Sequence, residues 1–105
     1  MSLAELAGQL DACVVAAWID VRTGGVIAQH AAGADPFAGA ALAVAAEVMR
    51  SRERPPRAVL LSERHVHIMQ RGRDPQRALV VVCERSANLG LAVSLVRSVA
   101  DAEAA

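Results

Sequence analysis

The amino-acid sequence predicts a mixed α/β (α+β) fold in which a five-stranded antiparallel sheet carries helices on both faces. Three observations predict this class: two strand-like runs that are apolar throughout, a nearly uncharged helix in the middle, and helical segments at both ends. Strands that are apolar on both faces need a covering layer on each side of the sheet. The predicted order is α-β-β-α-β-β-β-α, and we expect residues 1–105 to form a single domain.

The beginning of the chain has the signals of a helix followed by a hairpin. Ser2 and the glutamate three residues later have the spacing of a capping box, which predicts a helix from Ser2 to about Leu10. Residues 13–19 form a continuous apolar run rich in β-branched side chains, which is typical of a central strand. Residues 20–25 combine Asp, Thr and two glycines, and they predict a tight turn into a second strand over residues 26–30.

The stretch from Pro36 to Arg50 predicts the helix around which the chain is organised. Pro36 suits the first helical position, and Asp35 is a plausible N-cap. From Pro36 to Ala46 no side chain carries a charge or a hydrogen-bonding group, so the helix has no polar stripe before Glu47. The segment is too short and too rich in alanine to span a bilayer. We therefore expect this helix to be covered on two sides, by its own sheet and by another molecule.

The second half of the chain predicts three strands and a closing helix. The strands cover residues 58–62, 65–70 and 77–84. Polar and apolar residues alternate in the second of these, as they do in a half-exposed strand, whereas the third is apolar. A helix over residues 87–102, capped by Ser86 or Asn88, follows. The two wholly apolar strands should lie side by side in the middle of the sheet, which leaves the strand over residues 58–62 at an edge.

The middle helix and this edge strand together predict a homodimer. An apolar edge strand next to a helix without a polar face favours pairing with a second copy of the chain. The residues expected in the dimer interface lie on these two elements: Phe37, Ala41, Val44, Ala45, Val48, Ala58, Val59, Leu60 and Leu61.

Three short segments resemble the Roadblock/dynein light chain family. They are Trp-Ile-Asp at residues 18–20, Thr-Gly-Gly-Val-Ile at residues 23–27 and Ser-Ala-Asn-Leu-Gly-Leu at residues 86–91. Together with the order of elements, the resemblance covers nearly the whole chain. It implies the strand order 2-1-5-4-3, with the middle helix on one face of the sheet and the terminal helices on the other. It also implies homodimers that pair through the middle helices and the third strands.

The same resemblance implies a regulatory function. Bacterial members of the family commonly bind small Ras-like GTPases, and one group acts as a GTPase-activating protein without supplying a catalytic arginine. We therefore predict a non-enzymatic homodimer that regulates such a GTPase, with Glu47, Arg50 and Arg54 as candidate partner contacts. The alternative is a pure scaffold that holds larger complexes together. A small-ligand sensor is a third class, which the shortage of aromatic residues disfavours.

The sequence predicts no catalytic site, no metal site and no cofactor. His65 and His67 face the same way on a predicted strand, but no third ligand accompanies them, and a solvated polar face is the simpler interpretation. Cys13 and Cys83 lie where antiparallel pairing of the first and last strands would bring the thiols together. Without C-x-x-C spacing we interpret both as reduced core thiols. No nucleophile and base stand at a recognisable spacing, and no phosphate-binding loop appears.

Composition and charge exclude further classes. The formal net charge is zero, and Trp18 and Phe37 are the only aromatic residues apart from histidine, which disfavours nucleic-acid binding. The arginines near residues 50–57 and 71–77 are interpreted as solvated charges, although an acidic partner would suit them. The first residues lack the pattern of a signal peptide, so we expect a cytoplasmic protein without membrane insertion.

Overall fold

The computed structural model describes residues 1–10, 12–31, 35–51 and 55–102. Its helices and strands follow the predicted order. They are α1 (Leu3–Gln9), β1 (Cys13–Asp20), β2 (Val26–Ala31), α2 (Ala38–Arg50), β3 (Arg57–Leu61), β4 (His65–Arg71), β5 (Arg77–Glu84) and α3 (Leu89–Ala102). No helix in the described ranges combines the length and the hydropathy needed to cross a bilayer.

The described strands form one antiparallel sheet in the order β2-β1-β5-β4-β3. The apolar strands β1 and β5 pair in the middle, and β3 lies at an edge, so both predictions are confirmed. The central strands read as continuous apolar runs because each of their faces is covered by a helical layer.

Two apolar layers cover the sheet, one on each face. Helix α2 packs on one face, and α1 and α3 pack on the other, as the resemblance implied. The α2 layer includes Leu42 and Met49 against Ile19 and Val80 of the central strands. The only tryptophan of the sequence, Trp18, is buried in the opposite layer. Since successive strand residues point to opposite faces, β1 and β5 contribute to both layers.

The β1–β2 hairpin forms where the sequence predicted a turn. One carboxylate oxygen of Asp20 accepts hydrogen bonds from the N–H groups of Arg22 (2.8 Å) and Thr23 (3.2 Å). Gly24 takes a φ of 78°, which only glycine adopts without strain. The turn therefore depends on the Asp at its start and the Gly near its end.

Side-chain caps set where the helices begin. The Ser2 capping box is present, and Asn88 rather than Ser86 caps α3 by accepting the N–H of Leu91 at 3.1 Å. The predicted start of the middle helix at Pro36 is wrong by two residues. Asp35 accepts the N–H of Phe37 at 2.7 Å, which holds residues 36 and 37 in a turn, and α2 begins at Ala38.

Arg71 fixes the end of α2 to two neighbouring loops. Its guanidinium donates to three backbone carbonyls, those of Met49 (2.9 Å), Pro55 (3.0 Å) and Pro75 (2.7 Å). Met49 lies in the last turn of α2, where backbone carbonyls lack helical donors. Arg71 therefore has a structural role instead of being the solvated charge that the sequence suggested.

Candidate interaction surface

Helix α2 has a buried face and an exposed face, and both are apolar in its first half. Five residues face the sheet and are buried: Ala41, Leu42, Ala45, Ala46 and Met49. The opposite side exposes Gly39, Ala40, Ala43 and Val44, which we call the outer apolar face. In a helix that touches only its own sheet, this side would normally carry polar residues. The outer apolar face therefore has the composition of a covered surface.

The predicted interface residues of α2 fall into two groups. Phe37 and Val44 are 44% and 45% exposed, and Val48 is half-buried. Ala41 and Ala45, by contrast, are packed into the core of their own chain, and Ala45 is 0% exposed. A side chain without exposed area has nothing left to bury in a partner. The surface that α2 offers to a partner is therefore the outer apolar face, with Val44 as its largest side chain. The predicted alanines Ala41 and Ala45 lie next to this face but point into the core.

A shallow groove runs along the flank of α2 that faces the β3–β4 turn. It has a volume of about 260 Å³ and is lined by Phe37, Ala40, Ala41, Val44, Ser62, Glu63, Arg64, His65 and His67. The Arg64 guanidinium lies over the Phe37 ring, 4.5 Å from its centroid, at one end of the groove. The groove connects the exposed side of α2 to the start of β4, next to the edge strand.

Edge strand β3 presents backbone groups and apolar side chains. The N–H of Ser62 donates to the His65 carbonyl, and the N–H of Arg71 donates to the Pro56 carbonyl. Between these two bonds, the backbone groups of successive β3 residues point alternately towards β4 and away from it. This alternation points the N–H and C=O groups of Val59 and Leu61 away from β4. Within the described part of the chain no strand pairs with that edge.

The side chains of β3 alternate in the same way. Ala58 and Leu60 pack against the α2 layer of their own chain. Val59 and Leu61 are 48% and 56% exposed on the other side of the sheet. All four are predicted interface residues. The two exposed side chains have apolar area for a partner, whereas Ala58 and Leu60 would contribute mainly through the position of the backbone.

Two of the three predicted partner contacts, Glu47 and Arg50, lie within the described residues. Glu47 is exposed on the outer side of α2, directly after the apolar part. Arg50 is also exposed, but it lies against the β1–β2 turn, where a Cβ on Gly24 would come within 3.1 Å of its Nη1. Arg54 lies outside the described residues. Glu47 and Arg50 therefore lie three residues apart on the exposed side of α2, with the Arg50 side chain next to the β1–β2 turn.

His65 and His67 are buried, so the interpretation of a solvated strand face is wrong. Both lie under the flank of α2, with their ring centroids 6.1 Å apart. His67 Nδ1 donates to the Leu60 carbonyl at 3.3 Å, because a carbonyl can only accept. Burial lowers the pKa of His67, and this hydrogen bond opposes the effect only in part.

His65 connects the start of β4 to the start of α2. Its Nε2 lies 3.0 Å from a carboxylate oxygen of Asp35. The hydrogen bond with His65 lowers the pKa of Asp35, and the N–H of Phe37 adds to the effect. Hydrogen bonds within the chain therefore account for the two buried histidines of β4. Among the described residues, no three His, Cys, Asp or Glu side chains lie close enough to hold a metal ion.

Comparisons with known proteins identify the fold. No protein-family model and no curated protein matches the chain. Among solved structures, a Roadblock/LC7 domain from Streptomyces avermitilis is similar with a TM-score of 0.66 and 15% identity, covering 90% of this chain and 84% of that one. MglC from Myxococcus xanthus gives a TM-score of 0.69 at 15% identity, covering 93% and 89%. A structure described as MglB with tetrameric arrangement gives 0.65 at 23% identity, covering 89% and 74%.

These similarities define the class of the protein by its fold. The chain has the Roadblock/LC7 fold, over nearly its full length and with the strand order that the resemblance implied. At such low identity the comparison establishes architecture, and function has to be argued from the surfaces described above.

Proposed function

We propose that this protein is a homodimeric regulatory module without catalytic activity, in which residues 1–105 act as one domain that docks on a small Ras-like GTPase. The observation that carries the proposal is the continuity of two uncovered surfaces. The outer apolar face of α2 and the free edge of β3 lie on neighbouring elements and both lack a partner in the described part of the chain. One second copy covers both.

A two-fold axis beside β3 makes both contacts at once. The β3 edges pair antiparallel through the outward backbone groups of Val59 and Leu61, and the two α2 helices meet above them. Small residues such as Gly39, Ala40 and Ala43 allow the helix backbones to approach closely. Val44 then inserts its exposed area between the two helices. The likeness to a protein described as tetrameric supports a fold that self-associates.

The helix contact is tested by placing a charge at Val44. In Val44→Glu the two-fold axis brings two carboxylates together in an apolar seam, which costs several kcal/mol. We expect light scattering to report a dimer for the wild type and a monomer for this variant at the same concentration. Ser94→Glu, on the exposed side of α3, is the matched control and should remain dimeric. A Val44→Glu dimer of unchanged stability contradicts the proposed interface.

The strand contact is tested by removing a backbone donor. Proline is tolerated in an edge strand where its N–H would face solvent, so Val59→Pro leaves the ladder to β4 intact. It removes one N–H from the proposed pairing of the two β3 strands. Val59→Ala removes side-chain area but keeps the N–H. We expect the proline variant to dissociate at higher concentration than the alanine variant, and equal dissociation constants rule out pairing through the β3 edge.

We further propose that this dimer regulates the GTPase on which it docks. The dimer brings two copies of Glu47 to its outer surface, with Arg50 on the flank towards the β1–β2 turn. Such a composite surface regulates a GTPase by docking on one conformation of its switch loops, which requires different affinities for the two nucleotide states. The family resemblance supports this partner class.

The test mixes this protein with a purified small Ras-like GTPase. Its binding is measured by calorimetry after loading with GDP or with a non-hydrolysable GTP analogue, and hydrolysis and nucleotide release are followed separately. We expect affinities that differ at least about tenfold between the states, which corresponds to about 1.4 kcal/mol. Equal affinities identify the scaffold alternative, and no binding in either state contradicts the GTPase proposal while leaving the dimer intact.

A further inference from the structure

Cys13 and Cys83 face each other across the two central strands. They are direct partners in the antiparallel register of β1 and β5. Next to them the N–H of Glu84 donates to the carbonyl of Ala12 at 2.9 Å, which marks the cysteines as a pair that does not itself exchange backbone hydrogen bonds. In such pairs the Cα atoms are about 4.5 Å apart. This separation falls within the roughly 4.4–6.8 Å that a disulfide bond spans.

A β-bulge in β1 puts the two thiols on the same face of the sheet. The register shifts between Cys13 and Val15, so that Val14 is an additional residue without a partner in β5. Val14 and Val15 both pack in the α2 layer, and the strand alternation is thereby moved by one residue. Cys13 joins Cys83 in the layer of α1 and α3. Had the strand kept its regular alternation from Val15, Val14 would lie opposite Cys83 and Cys13 would point to the opposite face.

The two thiols differ in access. Cys13 is partly exposed and lines an open cleft of about 770 Å³ at this end of the sheet, whereas Cys83 is fully buried. The hydrogen bond from the Cys83 thiol lowers the pKa of Cys13, although burial opposes this. The same contact, together with burial, raises the pKa of Cys83. Cys13 therefore has the reactive thiol, and Cys83 is a protected neighbour.

We propose that Cys13 and Cys83 form a dithiol site that reacts with a hydroperoxide and closes to an intramolecular disulfide. The Cys13 thiolate attacks the O–O bond, so that an S–O bond forms and the O–O bond breaks; the leaving alkoxide (hydroxide, for hydrogen peroxide) takes up the proton that Cys13 released to solvent and departs as the alcohol or water. The Cys83 sulfur then attacks the sulfur of the Cys13 sulfenic acid. The S–S bond forms, the S–O bond breaks, and water leaves with the proton of Cys83. Two thiols are oxidised and one peroxide is reduced.

The test uses hydrogen peroxide on the native protein, followed by intact-mass measurement and a count of free thiols after denaturation. The wild type should lose the mass of two hydrogen atoms and both thiols, and a reductant should restore them. In Cys83→Ala the sulfenic acid of Cys13 has no neighbour, so we expect a dimedone adduct at Cys13. In Cys13→Ala the buried Cys83 should stay reduced. Circular dichroism checks that each variant is folded.

Each other outcome overturns the proposal. Two free thiols after prolonged exposure mean that the pair is inert, and a disulfide between two chains means that the thiols meet partners outside their own sheet. Addition of two or three oxygen atoms to Cys13 while Cys83 stays reduced means that Cys83 cannot reach the sulfenic acid. If a variant fails to fold, the wild-type mass and the position of the disulfide in a peptide digest still decide the question.

Discussion

Replacing Arg71 by methionine tests whether one half-buried side chain holds the α2 end in place. Methionine keeps the unbranched apolar stem but removes the guanidinium, so three carbonyls lose their donor. The bonds to Met49 and Pro55 are part-buried, whereas the bond to Pro75 is exposed, where water can replace the lost donor. The destabilisation should therefore come mainly from two of the three bonds.

The expected magnitude follows from those two bonds. A hydrogen bond to a charged group contributes about 1.5–3 kcal/mol, and partial exposure of Arg71 keeps each near the lower end of that range. We therefore expect the free energy of unfolding to fall by about 3 kcal/mol. In a chain of this size such a loss lowers Tm by roughly 10–25 °C.

Urea denaturation followed by the fluorescence of the buried Trp18 measures the effect, with all variants at one protein concentration because dimerisation would add to stability. Arg73→Met, on the exposed turn after Arg71, is the control and should change stability by less than about 0.5 kcal/mol. Arg71→Lys should recover only part of the loss, since an ammonium cannot reach three separated carbonyls. A loss below about 1 kcal/mol in Arg71→Met would refute the reasoning.

Three further perturbations have expected outcomes. Burial places the folded-state pKa of His67 below its unfolded value of 6.5, so the unfolded chain binds the proton first as the pH falls. The free energy of unfolding should therefore decrease below about pH 6.5, by at most about 1.4 kcal/mol per pH unit. His67→Gln should flatten this dependence between pH 7 and 5. Gly24→Ala should cost about 1–2 kcal/mol in urea melts because of the positive φ, and Gly24→Asn less. The oxidised Cys13–Cys83 form should be more stable than the reduced form by up to about 4 kcal/mol at 25 °C and should melt at a higher temperature, because the bond closes a loop over most of the chain.

The order of elements was predictable from the sequence because each strong local signal coincides with a tertiary requirement. The apolar run of β1 needs two covering layers, and it has them. The Asp20 turn and the Asn88 cap are satisfied by side-chain hydrogen bonds within three residues, so local chemistry alone decides them. The two apolar strands, β1 and β5, had to be central, and β3 was therefore predicted at an edge.

The rotation of α2 about its axis was not predictable from the sequence. A helix made almost only of small apolar residues gives no polar mark to show which side faces water. Ala41 and Ala45 differ from Ala40 and Ala43 only in position, and the structure turns the first pair into the core. The sequence therefore predicted α2 as an apolar element, and of the interface residues predicted on it Val44 is exposed whereas Ala41 and Ala45 are buried.

Two other features depended on contacts that are distant in sequence. His65 can be buried because Asp35, which precedes α2, accepts its hydrogen bond, and periodicity along β4 cannot show this. The shared face of Cys13 and Cys83 depends on the additional residue Val14, which interrupts the alternation of β1. A bulge inside an apolar run leaves no polar residue out of place, so the sequence pattern does not show it.

The sheet has two outer edges, β2 and β3, and the edges used in the proposed assembly set how far that assembly proceeds. β2, at the end opposite β3, exposes Val26 and Ile27 and also belongs to no second sheet in the described structure. A contact between two identical β3 strands covers the β3 edge of both copies and leaves only their β2 strands outermost. The same contact therefore cannot be repeated. Such an isologous pair is self-limiting, whereas a β2-to-β3 contact between copies would propagate into a filament.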